Sequence, residues 1–450
     1  MSPDGPDRSS EVSPETEPAG GARPKLLVID ASYTFEIIKA RSLEDSVTCR
    51  DLDGFFSHVW TVHPFATLLT SEEWTARYGR PVHHRLGERH TFIEGKVGRF
   101  AWLGRAFIPN FLIGQIALFL SLRRLIRREG IAVIRAGDPL YIGLFSWALA
   151  RLCGIPFAIR VGGNHDKVFE TTGRPILPRL MFNRRIEKAV ERFVFKRADL
   201  VAGANQDNLD FALANGARPQ FSTLFRYGNL VDKRHLSEPT GRAIDSALLR
   251  ELGLDKGQFL LYVGRLEPVK HPDDVVRVLA DARARGHDVK AVLAGDGSMR
   301  SALLDLAGEL GVADHLVLAG NRNQEWLAQM IPAAALIVSP HTGRALSEAA
   351  FGAAPIVAYD VDWQGELIET GATGELVPFG DWRRMAESAD RFLRDRDQAA
   401  AIGRRARERA LEILAPDKLN QHEREQYGAL LNRKGRASTG RPTGAAGPPA

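Results

Sequence analysis

Short apolar runs alternate along the chain with longer stretches whose apolar residues recur at helical spacing. The runs at 25–30 (KLLVID) and 156–161 (PFAIRV) are typical of buried parallel strands. Between them, residues 111–128 and 139–153 carry Leu, Ile and Ala at the spacing of amphipathic helices. This alternation predicts an α/β fold built on doubly wound parallel sheets.

The same alternation resumes after a polar stretch, so the pattern predicts two Rossmann-like domains. Five further strands are predicted at 259–263, 290–294, 315–319, 336–339 and 355–358. The ends of the chain are poor in apolar residues and rich in Pro, Gly and charge, which is typical of disorder. The predicted organisation is a disordered tail at 1–23, a first domain at 24–236, a linker at 237–257, a second domain at 258–414, a helix at 415–431 and a disordered tail at 432–450.

The length, charge and cysteine content of the chain exclude several classes of protein. A chain of 450 residues suits two domains, and 60 basic against 55 acidic residues give a net charge of only +5. This mild balance does not indicate a nucleic-acid binder, in which a concentrated basic face is expected. Cys49 and Cys153 are too few and too far apart for a disulfide framework or a zinc site. With no apolar signal segment at the N-terminus, we expect a cytoplasmic protein.

The segment 260–270 (LLYVGRLEPVK) reads as a strand that ends in a glycine turn and presents two cations. Gly264 allows a sharp turn, and the guanidinium of Arg265 offers a planar set of donors suited to phosphate oxygens. Lys270 brings a second positive charge to the same place. The segment indicates a clamp for a diphosphate, and the alternative is a pair of cations on a solvated loop.

Glu348 lies in an Ala-rich segment, 345–354, that reads as a buried or cleft-facing helix. A carboxylate in such surroundings requires a polar partner. The start of this helix, Gly343, Arg344, Ala345 and Leu346, offers backbone amides to a phosphate or a sugar hydroxyl. The alternative is a surface carboxylate on an ordinary helix.

Four segments in this order resemble the C-terminal half of family 4 retaining glycosyltransferases, which have the GT-B fold. They are VGRLEPVK at 263–270, AGDG at 294–297, SEAAFGAAPIVAYD at 347–360 and TGELVPFGD at 373–381. The resemblance implies that the two domains face each other across a cleft and that the helix at 415–431 returns to the first domain. It further implies that Arg265 and Lys270 bind the donor diphosphate beside Gly264, that Glu348 binds the ribose hydroxyls, and that the loop with Asn321 and Arg322 lines the base.

The resemblance implies transfer of a sugar, with retention of configuration, from a UDP- or GDP-linked donor to a glycan, lipid-linked or small-molecule acceptor. Two cations near the leaving diphosphate would stabilise its charge, so no metal and no separate cofactor are expected. AGDG itself predicts no more than a tight turn. Two alternatives stay open: a non-catalytic nucleotide-sugar-binding protein or partner subunit, and a sugar-nucleotide epimerase of the same fold.

The chain also departs from the family pattern. Pro340 stands where the family commonly has a Glu that reaches the donor sugar, which leaves His341 and Arg344 as candidate sugar contacts. The first loop, 31–33, lacks the glycines that many members have, and its role stays open.

Two further segments are candidates for function. The loop GGNHD at 162–166 follows a strand at the edge where such sheets bind ligands, so His165 is a candidate catalytic residue. A predicted helix at 179–197 carries seven basic and two acidic residues. Its basic side is either a solvated face or a contact with the inner face of an anionic membrane.

Overall fold

The computed structural model describes residues 23–226, 231–238, 246–341 and 343–439. Within these ranges, two sheets form the centres of two α/β domains, each with helices on both faces. This arrangement confirms the predicted pair of Rossmann-like, doubly wound domains. Residues 1–22 of the tail predicted at 1–23, residues 440–450 of the tail predicted at 432–450, and residues 239–245 of the predicted linker lie outside the described residues.

The sheet of the first domain has eight strands in the order β3-β4-β2-β1-β5-β6-β7-β8, and all neighbours are parallel except the edge pair β3 and β4. Apolar residues fill most of the central strands because both faces of the sheet are covered by helices. The strands are β1 (Lys25–Ile29), β2 (His58–His63), β3 (Val82–Gly87), β4 (His90–Glu94), β5 (Val133–Ala136), β6 (Phe157–Val161), β7 (Leu200–Gly203) and β8 (Ser222–Leu224).

Helices connect these strands and start at the edge of the sheet where the strands end. They are α1 (Phe35–Ala40), α2 (Glu44–Thr48), α3 (Phe107–Glu129), α4 (Tyr141–Cys153), α5 (His165–Thr172), α6 (Pro178–Met181), α7 (Arg184–Arg197), α8 (Gln206–Ala214) and α9 (Lys233–Leu236).

The sheet of the second domain is parallel throughout, with the order β11-β10-β9-β12-β13-β14. Numbered from its own first strand, this is the 3-2-1-4-5-6 order of dinucleotide-binding domains. The strand order reverses between β9 and β12, which places a ligand crevice at the carboxyl ends of these two strands. The strands are β9 (Phe259–Val263), β10 (Lys290–Ala294), β11 (Leu316–Gly320), β12 (Leu336–Ser339), β13 (Ile356–Tyr359) and β14 (Glu375–Val377).

The helices of the second half cover both faces of this sheet and then return to the first domain. None of the helices in the described ranges has an apolar stretch of the length that a bilayer crossing needs. The helices are α10 (Ser246–Glu251), α11 (Pro272–Ala284), α12 (Arg300–Glu309), α13 (Gln324–Ala333), α14 (Ala345–Phe351), α15 (Gln364–Leu367), α16 (Trp382–Arg394), α17 (Arg396–Ile413) and α18 (Pro416–Thr439).

The predicted linker at 237–257 is in part a piece of the second domain. Helix α10 lies within it, and Leu249 and Leu254 pack in the core of the second domain together with Val231. Arg407 of α17 donates to the carbonyl oxygen of Leu236 at 2.7 Å, which ties the end of the predicted first domain to the second. Apolar anchors in a polar stretch were too sparse for the pattern to reveal this packing.

The prediction of disorder from residue 432 onward was wrong for its first part, because α18 continues to Thr439. The helix returns to the first domain, where Tyr427 and Leu430 are buried in its core. The carboxylate of Glu423 lies 3.8 Å from a guanidinium nitrogen of Arg135 and 3.7 Å from one of Arg160. The helix is therefore anchored by apolar packing and by a buried ionic contact.

Two other predictions are corrected. The helix predicted at 179–197 is broken at Phe182, whose φ of +62° is incompatible with a right-handed helix, and α7 begins at Arg184 after an Asn183 cap. Strands β3 and β4 form an antiparallel hairpin in a region where the sequence pattern indicated no element. The edge strand β3 is mostly exposed and polar, so it lacks the apolar run that predicts a buried strand.

We predict that Glu423→Gln lowers the free energy of unfolding of the first domain by about 3–5 kcal/mol. The substitution keeps the shape of the side chain but removes the carboxylate shared by two buried guanidinium groups. Chemical denaturation followed by circular dichroism measures the loss. Glu425→Gln, at an exposed position of the same helix, is the matched control and should change stability by less than about 0.5 kcal/mol. Equal effects of the two substitutions would contradict the prediction.

Candidate active site

A cavity of about 1360 Å³ lies between the two domains, at the carboxyl ends of both sheets. Its first wall comes from loops after β1, β5 and β6, and its second wall from loops after β9, β11, β12 and β13. Parallel sheets of this type bind ligands at this edge. The two domains thus face each other across a cleft, as the resemblance implied.

The loop that carries Arg265 packs against the glycine turn that follows β10. Gly264 and Gly295 approach so closely that a Cβ atom on Gly295 would lie 1.8 Å from the carbonyl oxygen of Gly264. The backbone amide of Leu266 donates to the carbonyl of Asp296 at 3.0 Å. The AGDG segment therefore does more than turn the chain, because it fixes the path of the loop above it.

Arg265 and Lys270 both line the cavity, with Arg265 exposed and Lys270 half-buried. The Tyr262 hydroxyl donates to the carbonyl of Arg265 at 2.8 Å and secures the backbone of this residue. Burial, and after it the charge of Arg265, lowers the pKa of Lys270, while Asp362 opposes this shift. Among the described residues no carboxylate lies within 4.0 Å of either cation. Two like charges held close together without a paired anion are the electrostatic setting of an anion site.

Glu348 is 2% exposed and lines the same cavity from α14. Its Oε1 atom lies 3.3 Å from Nε of Arg344, but without the alignment of a hydrogen bond, and this oxygen has no hydrogen-bond donor among the described residues. Arg344 also reaches across the cleft, where Nη1 donates to the Ser46 hydroxyl of the first domain at 3.1 Å. Glu348 therefore keeps acceptor capacity for a hydroxyl donor in the cleft.

His341 is fixed at both ring nitrogens. Nδ1 lies 3.0 Å from the carbonyl oxygen of Val269, and Nε2 lies 2.5 Å from Oδ2 of Asp362. The hydrogen bond from His341 is the main reason why the pKa of Asp362 is lowered. Both ring nitrogens are therefore occupied by protein partners, which fix the orientation of the ring.

The loop after β11 brings Asn321 and Arg322 to the cavity wall, as the resemblance implied. Nε of Arg322 donates to the carbonyl of Ala319 at 2.9 Å, and its guanidinium lies 5.3 Å from the centre of the Trp326 ring. Arg322 is thus held flat against the wall, whereas Asn321 is exposed.

Three of the four residues predicted at the start of α14 line the cavity: Gly343, Arg344 and Ala345. Leu346 does not, because its side chain is fully buried in the core and its amide donates to the carbonyl of Gly343 at 3.1 Å. The prediction of Leu346 as a ligand contact is therefore corrected.

His165 is also misplaced by the sequence-based prediction. Its Nδ1 lies 2.8 Å from Glu191 and its Nε2 3.5 Å from Asp138, and it is not among the residues that line the cavity. Asn164 caps α5 with its side chain, so the helix begins at His165 and turns this ring towards the core. Its neighbours Asn164 and Lys167 reach the cavity instead. This placement argues against a catalytic role for His165.

Several cavity residues were missed by the sequence analysis. Asp362 and Trp363 follow β13 directly, and the rule that ligands bind after the carboxyl ends of strands could have found them. On the first wall, Arg50, Arg135 and Arg160 reach the cavity from two strands and a short helix far apart in sequence. No local motif connects these arginines, so no pattern in the sequence pointed to them.

The described residues hold one close group of potential metal ligands: His271, Asp273 and Asp274. The Tyr359 hydroxyl donates to Asp274 at 2.6 Å, and Arg277 donates to Asp273 at 3.1 Å. These protein partners account for the positions of both carboxylates without an ion.

Comparison with known proteins agrees with this geometry. Residues 247–409 match the family model described as "Glycosyl transferases group 1". The alpha-D-kanosaminyltransferase of Streptomyces kanamyceticus is 27% identical over 312 residues, which cover 67% of this chain and 76% of that protein. A D-inositol 3-phosphate glycosyltransferase of Nocardia farcinica is 31% identical over 216 residues. The chain spans only 44% of the length of this second relative.

Solved structures show the same fold over almost the whole chain. Anabaena Alr3699/HepE in complex with UDP and glucose has a TM-score of 0.68 at 18% identity, covering 90% of this chain and 100% of that one. Sucrose-phosphate synthase from Thermosynechococcus elongatus also has a TM-score of 0.68, at 16% identity, covering 91% and 100%. The chain therefore has the GT-B fold, and residues 247–409 in its second half match the group 1 glycosyl transferase model.

Proposed function

We propose that the chain transfers a sugar from a nucleoside-diphosphate sugar, UDP- or GDP-linked, to an acceptor in the cleft, with retention of configuration and without a metal ion. The observation that carries the proposal is that Arg265, Lys270 and Glu348 line one cavity between the domains. The two cations offer an anion site, and the carboxylate offers an acceptor for hydroxyl groups. A nucleoside diphosphate carries both complementary groups.

The chemistry of sugar transfer explains why uncompensated cations belong here. As the bond between the anomeric carbon and the diphosphate breaks, negative charge grows on the leaving oxygen. Fixed positive groups stabilise that charge more in the transition state than in the ground state. Arg265 offers a planar set of donors, and Lys270 offers a compact charge beside it. In this proposal the two side chains do the work that a bound metal ion does in other transferases.

The sugar of the donor would lie near the start of α14, next to His341 and Arg344. His341 is engaged at both ring nitrogens, so it contributes a fixed shape to the site. Arg344 is held between Ser46 and Glu348. With Pro340 in place of an acid, recognition of the sugar falls to backbone groups and to these two held side chains.

The first wall of the cleft would receive the acceptor. It contributes five cations and two carboxylates, Asp30 and Glu170, to the cavity, with Arg41, Arg50, Arg135, Arg160 and Lys167 as the cations. Arg50 is paired with Asp30, Lys167 with Asp207, and Arg135 and Arg160 with the shared Glu423. Arg41 is the cation of this wall that has no ion pair among the described residues, and it favours an acceptor that carries an anionic group. The names of the relatives include D-inositol 3-phosphate and phosphatidylinositol monomannoside. Within the open range of glycan, lipid-linked and small-molecule acceptors, we therefore favour those with a phosphate or a carboxylate.

The first prediction concerns binding of the donor. In a thermal-shift panel of UDP-, GDP-, ADP- and dTDP-linked sugars, the true donor should raise the melting temperature by mass action. Arg265→Ala and Lys270→Ala should each weaken donor binding by about tenfold or more, because a charge-assisted hydrogen bond is worth about 1.5–3 kcal/mol. Arg300→Ala and Lys256→Ala remove exposed cations outside the cavity and are the matched controls. Equal donor affinity in the cavity variants and the controls would contradict the proposed clamp.

The second prediction separates catalysis from binding. With a donor that stabilises the protein, Arg265→Ala should lower kcat/KM for transfer by about 10²–10³-fold, the usual cost of losing a group that stabilises the leaving charge. NMR of the product should show the anomeric configuration of the donor. A protein that binds the donor but neither transfers nor hydrolyses its sugar would instead be a nucleotide-sugar-binding protein. Loss of transfer in the Lys256→Ala control would make the effect non-specific.

The third prediction concerns pH. The pKa of Lys270 is lowered in the free protein, so this amine loses its proton at a lower pH than an ordinary lysine does. A diphosphate binds the protonated form better, so nucleotide affinity should fall as the pH rises through the lowered pKa. In Lys270→Arg the guanidinium stays charged, and the decline should move to higher pH. Calorimetry with the same nucleotide on both proteins cancels the titration of the nucleotide. Parallel pH profiles would contradict a role for the Lys270 charge.

A further inference from the structure

Helix α3 exposes a continuous row of large apolar side chains. Ile108, Leu112, Ile116 and Leu120 follow one another at intervals of four residues and are 69%, 53%, 60% and 41% exposed. Trp102, in the turn that precedes the helix, is 79% exposed. These five residues, here named the apolar ridge, form one surface along the N-terminal half of the helix.

The ridge is not the core-facing side of α3. The opposite side of the helix, including Leu118, Leu122 and Ile126, packs in the core of the first domain. The helix is therefore apolar on two sides over its first half, whereas a surface helix of a globular domain normally has a polar outer side. A contiguous exposed apolar surface of this kind marks a contact site.

The charged residues of α3 and of the turn before it are positive, except for Glu129 at the end of the helix, which pairs with Arg128. Residues 96–128 contain no Asp or Glu, and their seven cations are Lys96, Arg99, Arg105, Arg123, Arg124, Arg127 and Arg128. Arg105 lies before the helix, and Arg124, Arg127 and Arg128 are exposed in its last turns. An apolar row with an aromatic residue at one end and cations around it has the composition of a helix that lies in the interface of an anionic membrane.

We propose that the apolar ridge of α3 rests in the headgroup region of an anionic lipid bilayer. Charge complementarity favours this occupant over a second copy of the chain, because two copies joined through this surface would bring their arginines together. Since no described helix is suited to cross a bilayer, the contact is a peripheral one. The proposal rests on the surface of the first domain alone and does not depend on the identity of the donor.

The position of the ridge relates it to the cleft. Helix α3 follows β4 and precedes β5, so its N-terminal end lies at the carboxyl edge of the first sheet. The cavity opens at this same edge. Phe65, which follows β2 at this edge, contacts Phe111 on α3, with ring centres 6.5 Å apart. A bilayer against the ridge would therefore lie beside the acceptor wall, which suits delivery of a lipid-linked acceptor.

The basic helix predicted as a membrane contact is the weaker candidate. On α7 the exposed cations include Arg185, Arg192 and Lys196, and Ile186 is the large apolar residue exposed within the helix. Arg184, one of the basic residues counted in the sequence, is buried and bound to Glu191 and Asp166. Leu180 and Phe182, just before α7, are 41% and 75% exposed and Ile186 is 41% exposed, so this segment offers a shorter and less regular apolar surface than the row of four on α3.

Co-sedimentation with vesicles tests the proposal. The full chain should bind vesicles of phosphatidylcholine mixed with phosphatidylglycerol and bind pure phosphatidylcholine far less, and added salt should weaken the binding. The double variant Leu112→Ser/Ile116→Ser should bind the mixed vesicles at least about tenfold more weakly, because it removes the apolar residues that would insert. Arg124→Ala/Arg127→Ala should also weaken binding by about tenfold.

The matched control is Leu304→Ser/Leu310→Ser, which removes two exposed leucines of the second domain. It should bind the mixed vesicles as the parent protein does. Retained circular dichroism and retained stabilisation by nucleotide show that each variant is folded, separately from the lipid readout. No binding of the parent protein to the mixed vesicles would overturn the proposal, as would equal binding by the ridge variant. Light scattering would also overturn the proposal if the parent protein is a dimer and Leu112→Ser/Ile116→Ser is a monomer. The ridge would then be a contact between two copies of the chain.

Discussion

Two positive charges are held close together on the second wall of the cleft, and among the described residues no carboxylate is paired with either. Burial lowers the pKa of Lys270 most, and the charge of Arg265 adds to the shift. Asp362 opposes this shift, but its carboxylate is hydrogen-bonded to His341. In the proposed function a bound diphosphate would supply the opposite charge. The proposed donor site therefore depends on two cations that the fold holds without a paired carboxylate.

The two cations stay on this wall because contacts with neighbouring residues hold the loop of Arg265 in place. Tyr262 secures its backbone from below, and the close contact of Gly264 with Gly295 leaves no room for a different path. Both contacts lie at the carboxyl ends of β9 and β10, which are neighbouring parallel strands of the second sheet. A preorganised loop of this kind needs no rearrangement when charge develops on the leaving group, which is the condition for electrostatic catalysis.

The two walls of the cleft are joined at more than one level. Arg344 spans the cleft to Ser46, and Glu366 of α15 accepts from the amide of Gln206 in the first domain at 2.7 Å. Farther from the cavity, α18 returns from the second half of the chain and buries Tyr427 in the core of the first domain. These connections hold the two walls of the cleft opposite each other. If the ridge of α3 rests on a membrane, the acceptor wall is the half of the cleft that faces the lipid.

The alternation of strands and helices, the two domains, and the place of Arg265 and Lys270 in the cleft could all be predicted from the amino-acid order, because each depends on a local pattern. A buried strand requires an apolar run, and Arg265 follows its strand directly. The direction of a side chain could not be predicted from a local pattern in the same way. His165 turns into the core because α5 begins at this residue after the Asn164 cap, and Leu346 turns inward because α14 packs against the core. The arginines of the acceptor wall and the ridge of α3 likewise emerged only from packing. Sequence spacing shows that a helix is apolar, but which of two apolar sides is buried depends on the neighbours that the rest of the chain supplies.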